Sequence, residues 1–312
     1  WRSGVFMAAA TSLPLLYRSL SFHDILTAIC AKASISVSAK LLDNLNDEVH
    51  TYTEALHSLS DYRCALGKGA YAAQNGSDTS KAGQSACEIA TWVYKTVDRC
   101  GSTDIFSEDV DLLVSGQIAS LNHKKEKYHS MKEYLSEICE RSIGNVWIDV
   151  DLAFLKDERT LIKEGNGYTF KSFLVYDDVQ DIYRDLNNNS INAAVLLGLE
   201  RGLLSESEIE RKNTEEIIGK LEKSGIFRDL LQLGDLIFVK GLDTISECSD
   251  NLIDKEGFKA SLGLIRMFNI RKILRKKKNL GILGTFLANQ KRLERIKEVA
   301  PEYVQEMVEY VE

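Results

Sequence analysis

Between Pro14 and Pro301 the chain contains no proline. A proline ring removes a backbone N–H and breaks a helix interior, and folds built from many strands and turns normally place prolines in those turns. So long a proline-free stretch points to an all-α chain. Helical periodicity runs through "LSFHDILTAICAKASISVSAKLLDNLNDEVHTYTEALHSLSDY", and loop-like interruptions fall at "QNGSDTSKAG", "KEGNGY" and "NNNSIN". We expect one helical domain over residues 1–312, a single large bundle around a central cavity. Within it, the mixed-charge region from Ser205 to Lys223 is expected to form exposed helices.

Composition narrows the class. Apolar residues make up 44% and charged residues 27%, enough for a substantial core in a soluble globular chain. Lys and Arg number 39 against 46 Asp and Glu, a net charge of −7 that argues against a general nucleic-acid binder. The six cysteines include no C-x-x-C pair, so we expect reduced thiols in a cytoplasmic protein. No uninterrupted apolar run reaches the roughly 18 residues of a spanning helix. The chain opens at Trp1 rather than Met, as a fragment or processed form does, and no charged leader with a cleavage site is visible.

Two acidic clusters stand out. In "KLLDNLNDEVHTYTEALHSLSD" a continuous helix turning about 100° per residue would put Asp43, Asp47, His50, Glu54, His57 and Asp61 on one stripe. Their spacing is the one apolar core residues usually take, so the stripe is either a solvated face or the lining of a polar cavity. In "FLVYDDVQDIYRDLNNN" the same arithmetic groups Asp177, Asp181, Asp185 and Asn188, with Asp178 about 100° round from Asp177. Apolar neighbours such as Phe173, Val179 and Ile182 argue that this segment is not simply exposed. Crowded carboxylates resist burial unless cations neutralise them. Two such faces aimed at one cavity would suit Mg²⁺, which commonly combines one or two carboxylates with substrate phosphate oxygens.

These residues resemble the class I isoprenoid synthases, the helical superfamily of trans-prenyltransferases and terpene cyclases. Asp43-Asn44-Leu45-Asn46-Asp47 looks like that family's first aspartate-rich motif with one aspartate replaced, and Asp177-Asp178-Val179-Gln180-Asp181 is a full match to the second. Between them, Gly116-Gln117, Tyr134-Leu135 and Arg141-Ser142 occupy the places of the family's Gly-Gln helix, Tyr-Leu helix and Lys-Thr pair. The resemblance spans roughly residues 35 to 202. It implies Mg²⁺ held by Asp43, Asp47, Asp177, Asp178, Asp181 and Asp185, and an allylic prenyl diphosphate as substrate. Arg141 would contact its diphosphate, Gln117, Arg63, Lys68 and Arg184 would assist, and Gly144 would mark a helix break near the reacting carbon. Homodimers are common in the superfamily.

Departures from the pattern bear on the reaction. The paired arginines that follow the first motif in chain-elongating members are replaced by "DYRCALGKG", and the Gly-Lys and Pro after the second motif by "NNNSINAAV". A site for one allylic diphosphate is better supported than a site for two substrates, so the expected activity is terpene synthase-like, with a chain-elongating prenyltransferase as the alternative. A different enzyme class remains open: Glu54-x-x-His57 and Glu126-x-x-His129 have the spacing of di-iron carboxylate bundles. A non-catalytic helical binding protein would also carry an incomplete first motif. The basic run "RMFNIRKILRKKKN", with Arg266, Arg271, Lys272, Arg275, Lys276, Lys277 and Lys278, reads as a solvated helix face, with peripheral contact to anionic lipid as the alternative.

Overall fold

The computed structural model describes residues 2–71, 78–101, 103–121, 128–156, 160–211, 213–249, 253–270 and 291–311, and its regular elements are all helical. They run α1 (Arg2–Leu16), α2 (Phe22–Glu48), α3 (Tyr52–Lys68), α4 (Asp78–Asp98), α5 (Asp104–Ser120), α6 (Met131–Ser136), a 3₁₀ turn (Ile138–Arg141) and α7 (Gly144–Leu155). There follow α8 (Thr160–Asn188), α9 (Ala193–Glu200), α10 (Glu206–Glu210), α11 (Thr214–Lys223), α12 (Ile226–Glu247), α13 (Lys255–Asn269) and short turns near the C-terminus.

The long helix α8 joins two apolar clusters. Ile162, Phe170, Phe173 and Tyr176 pack into one with α1 to α5 and α7; Val175, Ile182 and Leu186 pack into the other with α6, α9, α11 and α12. Each fully buried Leu, Ile or Phe stabilises the fold by about 1.5–3 kcal/mol, so α8 is anchored along most of its length. Its partner is α12, and two glycines set how close they come. A Cβ on Gly165 would lie 2.6 Å from the Gly241 carbonyl oxygen, and one on Gly241 would lie 2.5 Å from that of Gly165. Any side chain there would push these two core helices apart.

The polar stripe expected to run from Asp43 to Asp61 is not one helix face. The α2 helix stops at Glu48, and Thr51 starts α3 with a capping box: its N–H and hydroxyl both donate to Glu54 Oε2 at 2.8 Å. The Thr-x-x-Glu spacing that signals such a start was legible in "TYTE". Glu54 is therefore occupied as a cap, which removes it from the di-iron pattern, and Glu126 lies outside the described residues.

By length and composition α2 could also cross a membrane, contrary to the run-length expectation, but half of the qualifying stretch is buried inside the bundle. The Ser205–Lys223 region is exposed only in part. No residue of α10 is buried, whereas α11 buries Thr214, Ile217 and Leu221. Arg266 does not belong to a solvated face. It is 2% exposed, pairs with Asp235 of α12 and donates from Nε to the Tyr176 hydroxyl at 2.9 Å, fixing α13 to α8 and α12. The rest of that basic run, Arg271 to Lys278, lies outside the described residues.

Candidate active site

The two acidic clusters meet across one cavity of about 610 Å³, within the ~300–1,000 Å³ range of small-molecule sites. From α2 come Lys40, Asp43 and Asp47; from α8 come Asp177, Asp178, Arg184 and Asp185; α5 adds Gln117 and the 3₁₀ turn adds Arg141. Phe170, Phe173, Leu174, Leu41, Ile143 and Met7 supply apolar wall. Asp177 and Arg184 on the lining are exposed, whereas Asp178, Asp185, Phe170 and Phe173 are buried. Edge and tilted ring contacts at 5.2 Å link Trp147 to Phe170 and Phe170 to Phe173, holding those walls in place.

Arg141 owes its position to Gly116. A Cβ on Gly116 would fall 2.3 Å from the Arg141 backbone nitrogen, so only glycine lets α5 approach the 3₁₀ turn this closely. The turn ends at Arg141, Ser142 adopts an extended backbone and its hydroxyl accepts from the Gly144 N–H at 3.2 Å, after which α7 begins. The helix break expected at Gly144 is therefore present, beside Phe170. Arg141 projects to the cavity with its Nη2 3.7 Å from Asp178 Oδ1.

Asp178 is the most tightly held carboxylate of its cluster. It is 4% exposed, and its Oδ2 accepts from the Tyr134 hydroxyl at 2.7 Å and from the Ala193 N–H at 2.6 Å. Asn192 completes the arrangement. Its Nδ2 donates at 2.8 Å to both the Asp178 carbonyl and Asp185 Oδ2, while its Oδ1 caps α9 through the Ala194 N–H. The segment that looked like a loop departing from the family pattern is thus the clasp of the second cluster. Burial pushes the Asp178 carboxyl up to about 7, with negative Asp185 adding to the effect of burial and Arg141 opposing it. Burial likewise pushes Asp185 up to about 6, against the hydrogen bond from Asn192 and the charges of Arg184 and Arg141.

The grouping drawn from α8 periodicity is only partly kept. Asp178, set apart by that arithmetic, lines the cavity with Asp177 and Asp185. Asp181 is not among the lining residues and receives Arg184 Nη2 at 3.0 Å, while Asn188 is exposed and Asn189 takes a left-handed turn with φ 53°. On α2, Asp43 Oδ2 accepts from Lys40 Nζ at 2.6 Å, and burial, which works against the lysine's charge, is outweighed chiefly by Asp43, so the Lys40 pKa is raised. Two expected substrate contacts lie elsewhere. Arg63 makes a two-pronged pair with Asp111 at 2.6 and 2.7 Å, and neither it nor Lys68, in the last turn of α3, lines the cavity. Both follow the first motif closely in sequence, but the turn at residues 49–51 takes them to another helix.

Among the described residues no three Asp, Glu, His or Cys side chains converge to enclose a metal ion by themselves. Carboxylates facing one another across a cavity fit Mg²⁺ where a ligand's own oxygens complete the coordination.

No family model matches the chain, and no curated protein does. Among solved structures it is similar to a linalool/nerolidol synthase from Streptomyces clavuligerus, determined in complex with 2-fluorogeranyl diphosphate, with 15% identity over 86% of each chain and a TM-score of 0.49. The functional reading rests on the residues that line the cavity.

Proposed function

We propose that this chain is a Mg²⁺-dependent class I terpene synthase-like enzyme that ionises one allylic prenyl diphosphate and releases diphosphate, giving a terpene hydrocarbon or alcohol. One observation carries the reading: α2 and α8 bring the carboxylates of two separate motifs, together with Arg141, to the lining of a single cavity that also presents apolar side chains such as Phe170 and Phe173. Bound Mg²⁺ would supply Lewis acidity to the diphosphate oxygens, with Asp43 and Asp47 on one side and Asp177 on the other as its protein ligands. Arg141 is fixed in advance by Gly116 and Asp178, so it can give charge-assisted hydrogen bonds to the departing anion with little reorganisation. Phe170 and Phe173 exclude water from the hydrocarbon and offer ring faces to a developing positive charge.

The basic residues favour a single substrate. Among the described residues, the cations lining the cavity are Lys40, Arg141 and Arg184, and each lies beside an aspartate of the two clusters. Chain elongation would need a further cationic pocket for isopentenyl diphosphate. The deciding experiment incubates the protein with C10 to C25 allylic diphosphates and Mg²⁺, with and without isopentenyl diphosphate, and reads diphosphate release and product mass. A hydrocarbon or alcohol formed without isopentenyl diphosphate is the expected result. A longer prenyl diphosphate formed only in its presence would make the chain a prenyltransferase, and no metal-dependent release from any of the substrates would refute the enzyme reading.

A further inference from the structure

Each acidic cluster carries its own exposed cation. On α8, Arg184 reaches Asp181 at 3.0 Å and Asp185 at 3.6 Å; on α2, Lys40 reaches Asp43 at 2.6 Å from one turn earlier in the same helix. Lys40 lines the cavity, yet its side chain is 60% exposed, and Asp43 is at 28%. Lys40 thus presents a largely exposed ammonium group on the cavity wall. It also engages an oxygen of Asp43 that a divalent cation would need.

The two attachments differ in strength. A solvent-exposed ion pair between neighbouring turns of a helix is weak and easily exchanged. A charge-assisted hydrogen bond to a phosphate oxygen is stronger, and lysine presents three donors on a flexible stem able to swing between acceptors. From this we propose that Lys40 is a diphosphate-binding and positioning residue that pairs with Asp43 until substrate arrives, then transfers its ammonium group to the diphosphate and leaves Asp43 free for the metal. The inference rests on the reading of this cavity as a metal–diphosphate site. Its consequence is a linkage: metal and diphosphate each bind more tightly with the other present, and by the same factor in both directions.

The test uses inorganic pyrophosphate and Mn²⁺ as probes. Mn²⁺ affinity is measured by electron paramagnetic resonance with and without pyrophosphate, and pyrophosphate affinity by calorimetry at saturating Mg²⁺, for wild type, Lys40→Met and Lys40→Arg. In Lys40→Met we expect Mn²⁺ alone to bind several-fold more tightly, because Asp43 is released, while pyrophosphate binds about tenfold more weakly. Lys40→Arg, which keeps the cation, should recover most of the pyrophosphate affinity. A merely structural helix pair would move melting temperature and neither affinity. Wild-type affinities in Lys40→Met would overturn the role of Lys40 and leave the site reading standing. A wild-type protein that binds no Mn²⁺–pyrophosphate would refute the site reading and the lysine's role together.

Discussion

The two aspartate clusters resemble each other in sequence and differ in how the fold treats them. On α8, Asp178 and Asp185 are buried and held by Tyr134, Asn192, the Ala193 N–H and the arginines Arg141 and Arg184. On α2, Asp43 is 28% exposed near the end of its helix and makes its ion pair with the exposed Lys40 one turn earlier. A carboxylate that organises its surroundings is costly to remove for reasons of stability, whereas one that awaits a ligand is costly to remove only for function. The second cluster therefore has a structural part beside its proposed role, whereas Asp43 has little beyond its proposed one.

The sharpest way to break this contrast is to delete one carboxylate from each side. Asp178→Ala should destabilise the protein by about 3–5 kcal/mol in urea denaturation, because it strands a half-buried Arg141 and leaves the buried Tyr134 hydroxyl without its acceptor. Asp43→Ala should cost less than about 1 kcal/mol, yet lower metal-dependent diphosphate release by about 100-fold. Equal melting behaviour in the two variants would erase the distinction.

A smaller effect is expected at Gly116→Ala. The added methyl must displace the backbone at Arg141, so we expect a loss of about 1–3 kcal/mol with turnover falling more than substrate affinity, read from the separate changes in kcat and KM. Unaltered kcat would mean that the close approach of α5 does not aim the arginine.

The α8 cluster should also make stability depend on pH. Asp178 and Asp185 titrate higher in the folded protein than in the unfolded chain, so the native state binds more protons across that interval. Their contribution is fully present below the unfolded carboxylate range near pH ~4 and is lost as pH rises through about 6 and 7. Metal-free protein should thus melt at a higher temperature at pH 5 than at pH 8. Buried Asp149 also titrates high, mainly through burial and then Asp109, and pulls in the same direction. The α8 share is read as the part of the pH slope removed by Asp185→Asn.

The smallest effect belongs to Arg63→Ala. Its pair with Asp111 is exposed on both sides and lies off the cavity wall, so stability should shift by under about 1 kcal/mol and diphosphate release should hold at the wild-type rate. A marked loss of turnover would restore Arg63 to the substrate site, as its nearness to the first motif in sequence suggested.

Helical architecture was legible from the proline gap and periodicity because these reflect backbone geometry that each segment imposes on itself. Both clusters were also readable as candidates from residue type and spacing, and Gly116-Gln117 and Arg141 from the family resemblance. The stop at Glu48 was encoded locally in the Thr51–Glu54 box, but a periodicity carried past it put His50, Glu54, His57 and Asp61 on a face that does not exist. Other features depend on residues far apart in sequence and were decided only by packing. Asn192 clasps Asp178 and Asp185, Tyr134 bonds to Asp178 across 44 positions, and Arg266, one residue in a run of basic side chains, is drawn into the core by Asp235 and Tyr176. A charge carries no sign in sequence of whether it will be solvated or buried. That depends on whether the tertiary fold brings it a partner strong enough to offset the loss of water.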